Sequence, residues 1–214
     1  MKSQLRSWLA GAEFQRVVAA SVEHNRIINI LIALTYEADP LIAWRAIDAI
    51  GRCAARLSAI RPEHVKGSLR RLFWMMSDES GAVAWHAPEA IGEIIHSDPH
   101  TFAEFIPMTI SLLDMEPEDR PRFLPGVLYA LGRIGEVAAN SVDACLPSIF
   151  DALSHVEVQT RAMAVCCLGR LKARNLLLQH PELARDSAKA LIYRDGELVE
   201  TTISLLRADA LKIH

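Results

Sequence analysis

Apolar residues recur along this chain mostly at intervals of three and four, which is the spacing that gathers them on one face of an α-helix. HNRIINILIALTYE carries that pattern, Asp39-Pro40 then supplies an N-cap and a first-turn proline, and LIAWRAIDAIGRCAARL resumes the pattern as a second helix. PEHVKGSLRRLFWMMSD pairs in the same way with AVAWHAPEAIGEIIHS. DPHTFAEFIPMTISLLD opens on another Asp-Pro and precedes RFLPGVLYALGRIGEVA, and NSVDACLPSIFDALS precedes VEVQTRAMAVCCLGRLKA. A weaker fifth pair is expected from Pro181 to Leu211. No strand-like alternation is sustained, so the pattern predicts helices in pairs and no sheet.

The second members of these pairs repeat one another. Ala43 to Arg52 reads AWRAIDAIGR, and Ala84 to Glu93 reads AWHAPEAIGE; LYALGRIGE at Leu128 to Glu136 and VCCLGRLKA at Val165 to Ala173 share the same centre. Gly51, Gly92, Gly132 and Gly169 follow at intervals of 41, 40 and 37 residues. Such a period suits a two-helix unit. Glycines inside helices mark close crossings, and Ile50, Ile91, Leu131 and Leu168 before them are expected in the core.

The sequence D-P-x-I followed by A-I-x-A-I-G resembles the HEAT-like repeat, in particular the short variety of phycobilisome-lyase proteins, and the match runs over residues 23–175. The resemblance implies an all-α chain, an α-solenoid of about five helix pairs. It would form a single repeat domain over 1–214, with a short N-terminal helical cap at 1–22 and a divergent C-terminal repeat at 176–214. Second helices would line the concave side. HEAT-like families carry an Arg after the apolar residue of D-x-x-V-R; here it stands only at Arg161, and Ala43, Ala84 and Leu124 replace it elsewhere.

The letters that change between repeats fall on one stripe. Arg45, Asp48 and Arg52 stand at i, i+3 and i+7 of the first second-helix, and the equivalents are His86, Glu89 and Glu93, then Gly126, Tyr129 and Arg133, then Met163, Cys166 and Arg170. Stacked side by side they form three rows flanked by Trp44 and Trp85. The candidate binding residues are therefore Trp44, Arg45, Asp48, Arg52, Trp85, His86, Glu89, Glu93, Tyr129, Arg133 and Arg170, a set rich in the Trp, Tyr and Arg that dominate interface energies. Pro88 and Pro125 each remove an N–H from such a helix, so the helices either start late or kink.

Charge and chemistry narrow the function. The formal net charge is −3, which argues against a duplex nucleic acid, although 18 of the 23 basic residues are Arg, suited to carboxylate pairing. Cys53, Cys145, Cys166 and Cys167 show no ligand spacing and read as small apolar filler. His86, Glu89 and Glu93 share a face, yet one helix cannot complete a metal shell and its neighbours include Arg45 and Arg52, so no metal or other cofactor is expected. HSDPH reads as a helix end, His96, followed by a cap, Asp98. The His-Glu pairs of the HEAT-like deoxyhypusine hydroxylases are missing. Neither a nucleophile elbow nor a phosphate loop occurs, and no catalytic residue is assigned. Charges interrupt every apolar run, and Glu13 and Arg16 break the N-terminal one, so neither membrane nor secretion is expected and the cytoplasm is. The reading is a non-catalytic interaction or adaptor module that holds a protein or peptide in its groove. The alternative is a concave-cleft enzyme, a nucleic-acid repair glycosylase using Trp44, Asp48 and Trp85, or a tetrapyrrole lyase.

Overall fold

A computed structural model of the 214-residue chain describes residues 1–76, 86–116, 119–138, 143 and 146–212. It divides into two compact units, Met1–Phe105 with Asp195–Glu197, and Ile106–Arg194 with Leu198–His214.

The first unit contains α1 (Lys2–Ala10), α2 (Phe14–Glu23), α3 (Ile27–Leu34), α4 (Pro40–Ser58), α5 (Pro62–Met76) and α6 (Ala87–Ser97), then a 3-10 turn at Ala103–Phe105. α4 starts where its cap predicts: Asp39 accepts the Leu41 N–H at 2.9 Å, and Pro40 takes the first turn, where its missing N–H costs nothing. Alanines and isoleucines surround most of this helix, because α1, α2, α3, α5 and α6 all pack on it. Ile50 and Ile91 are fully buried. The α4–α6 contact is close at Gly51, where a methyl group would fall 3.0 Å from Cβ of Glu93 and 3.2 Å from its carbonyl oxygen. α6 takes the late-start option, with Pro88 in its first turn.

The second unit contains α7 (Ile106–Ser111), α8 (Arg120–Ile134), α9 (Leu146–Asp151), α10 (Val158–Arg170), α11 (Arg174–Leu178), β1 (Lys189–Arg194), β2 from Glu197, which ends at Thr202, and α12 (Ile203–Lys212). The first helices of the third and fourth pairs are short, each continued by a 3-10 turn, at Leu112–Asp114 and Ala152–Ser154. α10 packs against both α8 and α12. A methyl group at Gly132 would stand 3.1 Å from Cα of Cys167, and one at Gly169 only 2.7 Å from Cβ of Ala210. Leu131 and Leu168, which precede these glycines, are fully buried. Pro125 lies inside α8, unlike Pro88 in α6.

The C-terminal part departs from the expected fifth pair. Pro181–Arg185 is a 3-10 turn, and residues 189–202 form a two-stranded hairpin. Asp195 and Gly196 both take positive φ, +53° and +87°, the type I′ geometry that Asp-Gly adopts most readily. The expectation of no sheet fails because Leu191, Ile192 and Tyr193 are consecutive apolar letters. Burial alternates along β1 where hydropathy does not: Ala190 and Ile192 are buried between exposed Lys189 and Leu191. α12 nonetheless occupies the place of a fifth second-helix, against α10 at Gly169.

The fold is that of an α-solenoid assembled from paired helices, with one hairpin inserted. No helix among the described residues is long and apolar enough to cross a membrane.

Candidate functional site

In the first unit the face shared by α4 and α6 gathers six of the expected residues. Trp44 is half-buried, with its ring centroid 5.8 Å from that of His86 and the planes tilted by 55°. His86 Nδ1 lies 3.2 Å from Oε1 of Glu89, one helical turn on. Burial alone would depress the imidazolium, but the hydrogen bond and charge of Glu89 outweigh it and raise the His86 pKa above 6.5. Glu89 is 7% exposed, and its second oxygen is buried without a hydrogen bond. Glu93, 6% exposed, lies over Gly51. On α4, Arg52 grips Asp48 with two bonds, Nε to Oδ1 at 2.5 Å and a terminal nitrogen to Oδ2 at 3.1 Å. Its guanidinium also covers the Phe14 ring at 4.4 Å, a cation–π contact that the repeat pattern did not point to because Phe14 belongs to α2.

Arg45, seven positions before Arg52 on α4, is covered rather than displayed. It is 5% exposed and all of its nitrogens are engaged. Nε donates to the Gly196 carbonyl at 2.8 Å, one terminal nitrogen donates to the carbonyls of Leu9 and Ala10 at 3.0 and 2.7 Å, and the other donates to Glu197 at 2.6 Å. Leu9 and Ala10 close α1, so the cation caps a helix C-terminus, where orphan carbonyls and the dipole both favour it. The stripe read from the sequence does not distinguish Arg45 because α1 and the Asp195–Glu197 turn cover its first position, while Asp48 and Arg52 further along the same helix face are half-buried and exposed. Nothing local marks the difference, since Asp48 is within reach of either arginine and the partners of Arg45 lie 35 or more positions away.

In the second unit Tyr129 and Arg133 are half-buried on α8, while on α10 Cys166 is half-buried and Arg170 exposed. The stem of Arg170 passes 3.6 Å from the place of a Cβ at Gly132, so the close crossing also seats this side chain. Gly126 and Met163, the remaining letters of that stripe, are buried. Arg161, the one arginine at the HEAT-like position, bridges the loop before α10 to the segment after α11. It donates to the carbonyls of His155 and Val156 at 2.8 and 3.1 Å and holds Asp186 at 3.0 Å. Trp85 and Cys145 lie outside the described residues.

Among the described residues the thiols are not activated. Burial pushes Cys53 up to about 11 and raises Cys166 and Cys167 as well, against the weaker pull of Arg170, so none is a thiolate at neutral pH. Among the described residues no group of three or more His, Cys, Asp and Glu side chains could hold a metal ion. Asp98 acts as the cap expected of it, accepting the Thr101 N–H at 3.1 Å, and His96 is exposed in the last turn of α6.

No protein-family model matches the chain. An uncharacterized protein of Archaeoglobus fulgidus is 33% identical over 111 residues, which are 52% of this chain and 55% of that protein. The chain thus spans about half the length of this relative. Among solved structures, an archaeal HEAT-like repeats protein from Thermococcus onnurineus NA1 aligns over 99% of this chain and 79% of its own, with 18% identity and a TM-score of 0.40. An engineered protein aligns over 98% and 63%, with 13% identity and a TM-score of 0.47. Within the chain itself, the Asp-Pro start of α4, the paired helices and the glycine contacts of α4 with α6, α8 with α10 and α10 with α12 are those of a helical repeat fold.

Proposed function

We propose that the chain is a non-catalytic interaction module and that the α4–α6 face of its first unit receives a segment of another protein. The observation that carries this reading is the tilted Trp44–His86 pair, half-buried beside the Asp48–Arg52 pair. An aromatic surface and fixed hydrogen-bonding groups thereby share one face. Such pairings supply most of the energy at protein interfaces, the ring through desolvated area and the fixed charge through orientation. Glu89 and Glu93 add carboxylates beneath that face, which favours a segment carrying Lys or Arg. Tyr129, Arg133 and Arg170 give the second unit a face of basic and aromatic groups for a contact of its own. The lyase-type resemblance rests on repeat letters, and none of them is tied to tetrapyrrole chemistry.

Selection of a random-peptide phage library on the full chain tests the proposal. Enriched peptides should carry basic residues and lose about 2 kcal/mol of affinity for the Trp44→Ala chain, whose melting stays nearly unchanged. Peptides that bind Trp44→Ala as well as the parent, or no enrichment at all, would refute it.

A further inference from the structure

Each strand of the hairpin has one edge toward its partner strand and one turned outward. On β1 the outward groups belong to Lys189, Leu191 and Tyr193, and at the centre of the strand both groups of Leu191 are taken. Gln159 on α10 donates its amide to the Leu191 carbonyl at 3.0 Å and accepts the Leu191 N–H at 3.4 Å. That side chain stands where the peptide group of a third strand would stand, so this edge is blocked at its centre.

The edge of β2 differs. The two-residue turn and the bond from the Ile203 N–H to the Ala188 carbonyl, 3.2 Å, fix the register. In that register Val199 faces Ile192 as a hydrogen-bonded pair, and the peptide groups of Leu198 and Glu200 point away from β1. Among the described residues nothing else bonds to those groups. Val199 is 45% exposed although Ile192, its opposite on β1, is buried, so β2 overhangs the surface that covers β1. A free apolar strand edge is the usual template for adding another strand.

We infer that β2 pairs antiparallel with β2 of a second copy of this chain, about a two-fold axis through facing Val199 residues. This register matches the outward groups of Leu198 with those of Glu200 in the other copy, and the reverse. It sets two β-branched side chains opposite each other in the closer, non-hydrogen-bonded pair. A register centred on Glu200 would oppose two carboxylates. In the Val199 register each Glu200 faces a leucine and keeps its own Lys189 at 2.7 Å. The blocked centre of the β1 edge decides the occupant. With one open edge per hairpin, pairing that edge with itself ends at two copies, whereas addition of β1 from another molecule is blocked by Gln159.

Sedimentation equilibrium over about a hundredfold range of concentration reads the association by mass action. The wild-type chain should approach twice its monomer mass, and Val199→Lys, which sets like charges face to face at an exposed site, should weaken association at least about tenfold with unchanged circular dichroism. Under mild oxidation Val199→Cys should form a disulfide-linked dimer much faster than Val156→Cys, a more exposed control. A wild-type chain that stays monomeric throughout, a dimer indifferent to Val199→Lys, or equal linking of the two cysteine variants would overturn the pairing. In the first case the edge belongs to an extended segment of another protein.

Discussion

Gly51 of α4 receives the side chain and carbonyl of Glu93 from α6, whereas Gly132 of α8 receives the backbone of Cys167 and the stem of Arg170 from α10. The apolar letters before the glycines, Ile50 and Leu131, are equally buried in the two stacks. Around this shared frame the first stack presents half-buried Trp44 and exposed Arg52 beside buried Glu89 and Glu93, and the second presents Tyr129, Arg133 and Arg170. The difference teaches which positions vary: the glycine and the apolar residue before it are kept in both stacks, while the stripe residue that reaches the glycine changes from an acid, Glu93, to a base, Arg170. Each unit also holds an arginine that ties separate segments of it together. Arg45 closes the end of α1, and Arg161 ties its own loop to Asp186.

The largest break should come at Arg45. In Arg45→Ala the carbonyls of Leu9, Ala10 and Gly196 lose their donor inside the first unit, and the loss should be about 3–5 kcal/mol in urea denaturation. Arg52→Ala, which frees a half-exposed pair, should cost under about 1 kcal/mol. Similar losses for the two would mean that the buried and displayed arginines do not differ in kind.

Glycine substitutions sharpen the contrast between spacing and display. Gly169→Ala forces a contact of 2.7 Å on Ala210 and should cost about 1–3 kcal/mol, as overpacking does. Gly67, on the exposed side of α5, has no neighbour within 4 Å, so Gly67→Ala should instead gain about 0.5–1 kcal/mol from helix propensity. Thermal unfolding of both variants checks the opposite signs.

The smallest effect is the pH response of His86, a group the first stack has and the second lacks. Its raised pKa means that the protonated ring favours the folded chain. That contribution is complete below pH 6.5 and is lost as pH rises through the elevated folded value. Glu89→Gln leaves burial as the main influence, so the His86 pKa should drop below 6.5 in an NMR titration. An unchanged titration would detach Glu89 from the imidazole.

What was legible in the sequence follows the range of the interactions. Asp39-Pro40, the glycine period and the burial of Ile50, Ile91, Leu131 and Leu168 depend on neighbours in one helix pair or the next, and all were readable from spacing. Pro88 posed two options, and only the late start of α6 chose between them. Arg45 was misread because its partners come from α1 and from Asp195–Glu197, contacts that no periodicity encodes. The hairpin was missed for a different reason, since its Asp-Gly turn was present in the sequence but three consecutive apolar residues hid the alternation.

Parallel urea denaturation of Ile50→Ala and Trp44→Ala tests the division between residues that build the stack and residues that the stack displays. Ile50→Ala should lose about 2–5 kcal/mol through the cavity it leaves, and Trp44→Ala no more than about 1 kcal/mol despite removing the larger side chain. Equal losses, or a greater one at Trp44, would make that tryptophan core packing and contradict the division.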